Sequence, residues 1–210
     1  MDKTPGEIKI KYLSEKIILV KANLFLDKYN FKMEVPVPLE KIAEIDLGIN
    51  FLTVPNLKNL IECDGYISDD FSTITFDDYI FNNCEVRARF TLAHELGHFF
   101  LHQDLYNSYE IKDIESFIKF QKLIGDKGWR SLEIQANIFA GFVLFPYKPL
   151  KKLIENNLIK SGGLDQFTVS DLQKLVLGMQ ETFGVSGQAC LIQLKKYFPD
   201  LLKVAGDAIF

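Results

Sequence analysis

"RFTLAHELGHFFLH", residues 89–102, contains every histidine of the chain: His94, His98 and His102. Histidine is the commonest metal ligand and the usual proton carrier near neutral pH, so this clustering asks first for a metal site. The spacing says which kind. On an α-helix each residue turns about 100° and rises about 1.5 Å, so His98 lies roughly 40° round from His94 and about 6 Å along the axis. Two imidazoles so placed converge on one ion at about 2.0–2.1 Å from each nitrogen. Glu95 points about 60° from His98, within reach of a metal-bound water but not of the ion itself. That is the H-E-x-x-H arrangement, two ligands and a carboxylate base. Leu92, Leu96, Phe99 and Phe100 make the rest of the segment apolar. Such a helix is expected to be buried, where an acid without a purpose would be costly. The pattern also arises by chance, with the histidines as satisfied core residues. His102 stands about 12 Å along the axis from His94, too far for a straight helix to bring both to one ion. No glycine between His98 and His102 bends the chain. His102 is therefore expected in a structural role or in support of a ligand.

A catalytic zinc usually has three protein ligands and one open position. With no histidine left, the third must be a carboxylate or a cysteine. "SLEIQANIFAGFVLFP", residues 131–146, puts Glu133, Ala136, Asn137, Ala140 and Leu144 on one helical stripe. Glu133 is the one charge of that stripe, and the two alanines keep it shallow enough for close approach to the histidine helix. Asn137, one turn after Glu133, is placed to hydrogen-bond a ligand imidazole and fix its orientation. The competing reading makes Glu133 an exposed acid, favourable to the dipole near a helix start. A solvated face has no need of the two alanines, which favours the ligand.

Composition bounds the class. At 210 residues and 48% hydrophobic, the chain can bury one sizeable core. A net charge of -4 and a pI near 5.5 offer no general attraction to nucleic acid or anionic membrane. The opening "MDKTPGEIKIKYL" is charged and lacks the apolar core of a signal peptide. The longest apolar stretch, Ile138 to Phe145, falls far short of the roughly 18 residues of a membrane helix. Cys63, Cys84 and Cys190 are odd in number and widely spaced, so they read as free thiols. A soluble cytoplasmic protein without a membrane partner is expected.

Along the chain, Glu7 to Tyr29 carries Tyr12, Leu13, Ile17, Val20 and Leu24 at helical intervals, which predicts an amphipathic helix. In "VPVPLEKIAEIDLG", Pro38 is placed to start a second short helix and Gly48 to end it. The runs "INFLTVP", "LKNLIEC", "GYISDD" and "STITFDD" predict a small antiparallel sheet over about Ile49 to Asp77, with a hairpin turn at Asp64-Gly65. Helices are then expected around the histidines, over about Gly128 to Phe145, and over Tyr147 to Ile159. "KSGGLDQF" reads as a linker, followed by a helical tail from Thr168 to Tyr197 broken at "FGVSG". The fold class is thus α+β and mostly helical, with a small sheet. The expected division is 1–160 as the core and 161–210 as a helical tail that resembles a helix-turn-helix.

"RARFTLAHELGHFFLH", followed some thirty residues later by "EIQANIFAGFVLFP", resembles the ImmA/IrrE metallopeptidases. "GYISDDFSTITFDD" and "PLEKIAEIDLGI" resemble that family too, so the likeness covers about Val37 to Pro146. The two motifs are specific together, whereas H-E-x-x-H alone is not. The resemblance implies a zincin-like, gluzincin-type core with one Zn²⁺, metal ligands His94, His98 and Glu133, and Glu95 as the catalytic glutamate. Many members carry a second glutamate where this chain has Gln135, and its absence removes a rival ligand. The resemblance also implies a partner. Such enzymes are typically encoded beside a helix-turn-helix repressor of a mobile element or stress regulon, which they inactivate by cleavage. Others sit in toxin–antitoxin-like pairs.

"DLQKLVLGMQETFGVSGQACLIQLKKY", residues 171–197, reads as helix, glycine turn, helix, with Ser186 able to cap the second. Reading DNA would require Arg or Lys on that second helix, which offers only Gln188, Gln193, Lys195 and Lys196. Two functions from different classes are therefore expected. One is a zinc endopeptidase acting on a repressor-like protein. The other is a regulator that keeps the metal fold but sequesters a partner or binds DNA. An intact Glu95 favours the first. Tyr66, Tyr79 and Tyr147 are candidate oxyanion donors between which the sequence does not choose.

Overall fold

The computed structural model describes residues 10–203. The first helix, α1 (Glu15–Tyr29), starts where the Ser14 side chain accepts from the Ile17 N–H; the Glu7–Lys9 part of the expected helix lies outside the described residues. Its buried stripe differs from the expected one. Ile18, Ala22 and Phe25 face the core, while Ile17, Val20 and Leu24 are 46%, 52% and 63% exposed. Both stripes have helical spacing, and periodicity alone cannot say which one meets a partner. Next, α2 (Leu39–Lys41) runs into a π-helical turn over Ile42–Asp46, begun at Pro38 and followed by Gly48 in the left-handed region, φ +70°.

The sheet is mixed, which corrects the antiparallel expectation. β1 (Asn50–Val54) pairs parallel with β3 (Thr73–Asp77), and β2 (Gly65–Ile67) pairs antiparallel on the other side of β3. The cause lies in "LKNLIEC", read as a strand but folded as the helix α3 (Leu57–Ile61). Leu57 and Ile61, one turn apart, are buried, and Asp77 Oδ2 accepts from the Lys58 N–H at the helix start. With α3 taking up the middle of the connection, the chain re-enters the sheet so that β3 runs alongside β1. The turn at Asp64-Gly65 is also corrected. Gly65 opens β2, where a Cβ would stand 2.8 Å from the Thr75 carbonyl oxygen, so the glycine serves a close approach and not a turn. The true β2–β3 turn spans 68–72 and is held by Asp70, which accepts from the Ser68 hydroxyl and the Ser72 N–H.

After α4 (Asp78–Asn83), capped by Asp77, comes α5 (Glu85–Leu101), which carries the histidines, and the short α6 (Gln103–Tyr106). The next helix, α7 (Ile114–Leu144), is longer than the expected Gly128–Phe145; it is two helical runs meeting at Gly125, φ +69°. α5 packs most extensively on α7, and α1 lies across α7. α8 (Tyr147–Ser161) and a 3₁₀ turn over Leu164–Gln166 lead to the tail.

The tail comprises α9 (Val169–Phe183), α10 (Gly187–Tyr197) and α11 (Pro199–Lys203). Gly184 ends α9 at φ +63°, and Ser186 caps α10 by accepting from Ala189 N–H. α10 turns Cys190, Gln193 and Leu194 inward, and a Cβ at Gly141 of α7 would stand 2.7 Å from Gln193 Nε2. Lys196 pairs with Glu15 at 2.5 Å and lies 4.3 Å over the Phe142 ring. Two of the four polar residues weighed for reading DNA are thus committed to the fold. Among the described residues no helix is long and apolar enough to cross a membrane.

Candidate metal centre

α5 and α7 meet where both backbones are nearly bare. A Cβ at Gly97 would stand 3.1 Å from the Ala136 Cα and carbonyl oxygen, and 3.3 Å from its Cβ. Ordinary carbon contacts are about 3.5–4.0 Å, so any side chain at this crossing would have to push the two helices apart by a few tenths of an ångström. The alanine half of this contact was expected; the glycine half, inside the histidine motif itself, was not. Its available signal was energetic: a glycine in a helix interior costs about 1 kcal/mol relative to alanine.

That crossing places Glu133 opposite the histidines. Glu133 Oε2 lies 3.3 Å from His94 Nε2, Oε1 lies 3.4 Å from His98 Nε2, and the two Nε2 atoms are 3.0 Å apart. One ligand atom from each of the three residues falls within 4.8 Å of the others. Neighbouring ligands of a tetrahedral ion with bonds of about 2.0–2.1 Å stand about 3.3–3.4 Å apart, so two imidazoles and a carboxylate at these separations fit such an ion. The electrostatics agree. Burial alone would raise the Glu133 carboxyl, but the hydrogen bond with His94 and the positive charge beside it hold it well below the usual carboxylate range. Burial likewise works against charge on His94, yet the hydrogen bond to Glu133, with the charges of Glu95 and Glu133, lifts it to about 9. The pocket is built to gather positive charge between these side chains.

The other expected residues take distinct places. Glu95 is buried beside the group but outside it; burial raises its carboxyl, offset in part by the histidines and by a hydrogen bond from the Ile67 backbone on β2. Asn137 Oδ1 sits 2.9 Å from His94 Nδ1, at the ring edge facing away from Glu133. His102, also buried, is off the group: its Nδ1 is 3.0 Å from His98 Nδ1 and its Nε2 is 3.3 Å from Gln135 Oε1. Burial pushes the His102 imidazole down to about 3.

The group opens into a cavity of about 280 Å³. Tyr66 lines it with its hydroxyl bonded to Thr75, while Tyr79 and Tyr147 are 67% and 53% exposed and do not line it. Sequence reading missed three contributors. Tyr106 packs under His98 at 5.5 Å between ring centroids, Trp129 stacks on the same imidazole at 6.4 Å, and Cys63 lines the wall. All three lie far from the motifs in sequence or carry no periodicity that marks them. At the rim, Asp64 is held by Arg87 and Lys58.

The sequence that builds this helix pair matches a known family. The model of Peptidase_M78, described as the IrrE N-terminal-like domain, matches residues 82–194, more than half of the chain. The matched segment starts later than the expected Val37 and runs past Pro146 through most of α10, across the expected 160/161 boundary. No curated protein shows significant similarity to the chain. With both the histidine helix and the glutamate helix inside the matched segment, the chain belongs to the Peptidase_M78 family of metallopeptidases, which carries the IrrE N-terminal-like domain.

Proposed function

We propose that this protein is a zinc-dependent endopeptidase, with His94, His98 and Glu133 as the metal ligands and Glu95 as the general base. The observation that carries the reading is the position of Glu95: buried, beside the ligand group, and not part of it. A module that only bound a partner would have no use for a carboxylate there. Zinc at this site would supply Lewis-acid polarisation of a scissile carbonyl and make a nearby water more acidic. The chain's own residues do the rest. Asn137 orients His94, and Ile67 holds Glu95 on the cavity wall. Glu95 takes a proton from the attacking water and hands it to the leaving amine; burial brings its affinity for protons closer to the working pH, where such transfer is efficient. The substrate we propose is a helix-turn-helix repressor encoded beside the enzyme, met in the cytoplasm, as the family resemblance implies.

Co-expression with that neighbouring helix-turn-helix protein tests the reading. Wild type should cleave it, and Glu95→Gln should keep its zinc yet cleave about 10²–10⁴-fold more slowly. Equal cleavage by Glu95→Gln sinks the mechanism. Tight binding without cleavage by wild type would install the sequestering regulator in its place.

A further inference from the structure

Behind His98 lies a run of hydrogen bonds whose far end is an atom that can only accept. Gln135, buried on α7, has its Nε2 3.3 Å from the Lys11 carbonyl oxygen and 3.2 Å from Ser131 Oγ, and its Oε1 3.3 Å from His102 Nε2. A backbone carbonyl has no proton to give, so the NH₂ end of the Gln135 amide must face Lys11. Its oxygen then faces His102, which obliges His102 Nε2 to carry the proton. The two Nδ1 atoms, 3.0 Å apart, share one proton between them, and a His98 whose Nε2 serves a metal must supply it, so His102 Nδ1 accepts. His98 Nδ1 is therefore the donor, and its Nε2, 3.4 Å from Glu133 and 3.0 Å from His94, is left with a free lone pair directed into the ligand group.

We infer that Gln135 and His102 are positioning residues that, anchored on the Lys11 carbonyl, fix the tautomer of His98 so that its Nε2 presents a lone pair to the metal. The inference rests on the metal-ligand reading above, but it assigns Gln135 a role of its own. A Gln135 that merely filled space would leave His98 free to place its proton on either nitrogen. The segment before α1 thereby bears on the site although it contributes no ligand. Partners beyond the ligands typically alter metal affinity by about 10–100-fold when removed.

The test reads the tautomer before it reads the metal. In metal-free protein labelled with ¹⁵N at histidine, His98 and His102 should show protonated nitrogens at Nδ1 and Nε2 respectively. Gln135→Met, similar in shape but without hydrogen-bonding atoms, should erase that preference at both rings and weaken zinc about 10–100-fold in a chelator competition. Gln135→Glu in its neutral form can donate to Lys11 and accept from His102, so it should restore both tautomers in the metal-free protein. A proton found on His98 Nε2 and not on Nδ1 in wild type, or Gln135→Met binding zinc as tightly as wild type, overturns the inference. So does Gln135→Glu failing to restore the tautomers that a folded Gln135→Met loses. Because the nuclear resonance readout needs neither zinc nor substrate, failure of the peptidase reading would leave this result standing.

Discussion

Substitution of Gly97 by alanine sets two physical effects against each other with opposite signs. In an exposed helix interior the change would stabilise by about 1 kcal/mol, because alanine loses less conformational freedom than glycine. Here the new methyl meets the Ala136 backbone at 3.1 Å, where neither atom belongs to a flexible side-chain end. Relief needs α5 and α7 to separate by a few tenths of an ångström, and overpacking of this kind costs about 1–3 kcal/mol. The net expectation is destabilisation by about 1 kcal/mol, or a fall of about 2–4 °C in Tm for a chain of this size. The separation also draws Glu133 from the histidines, whose contacts of 3.3 and 3.4 Å span the same crossing. Zinc affinity should therefore fall further than stability alone explains, by about tenfold, comparable to other losses of ligand support. Urea denaturation of metal-free protein measures the first quantity, and competition with a chelator of known affinity measures the second. Gly97→Ala proving about 1 kcal/mol more stable than wild type, with unchanged metal affinity, would refute the close-packed crossing as the device that assembles the site.

Glu133→Gln should lower zinc content while leaving the fold intact, with activity partly restored by excess zinc; full occupancy by elemental analysis would remove Glu133 from the ligand set. At the cavity rim, burial alone would raise the Asp64 carboxyl, but hydrogen bonds from Arg87 and Lys58 and their charge hold it below its ordinary value. A depressed carboxylate contributes stability above the unfolded pKa and loses it as pH falls through the folded one, so Asp64→Asn should flatten the acid side of the stability curve by about 1 kcal/mol or less. Urea midpoints of the two proteins that run parallel from pH 7 to pH 3 would count against it. Cys63, Cys84 and Cys190 are free, so thiol titration of the unfolded, non-reduced chain should find all three. In the folded protein Cys63 should alkylate slowly, because burial, then the charges of Glu133, Glu95 and Asp64, push its thiol up to about 12.

What sequence alone determined here are the features written in short-range spacing. His94 and His98 share a helical face whatever surrounds them, and Glu95 must lie beside that face. Glu133, Ala136 and Asn137 form one stripe for the same reason, and the capping serine at Ser186 declares the start of α10. Tertiary structure decided everything that depends on which surfaces meet. Two apolar stripes of α1 are equally periodic, and contact with α7 and α5 buries Ile18, Ala22 and Phe25 in preference to Ile17, Val20 and Leu24. The run at Leu57–Ile61 satisfies strand and helix patterns alike, and the Asp77 carboxylate at its start, together with burial of Leu57 and Ile61, settles it as α3. With α3 in place of a strand, β1 and β3 run parallel. Gly97 has no evident role until α7 crosses it at Ala136. The Lys11 carbonyl, 124 positions from Gln135, is linked to the candidate metal centre through hydrogen bonds that no local pattern encodes. Helical and strand periods act over a few residues; the contacts that complete the site join segments far apart in the chain, and only packing brings them together.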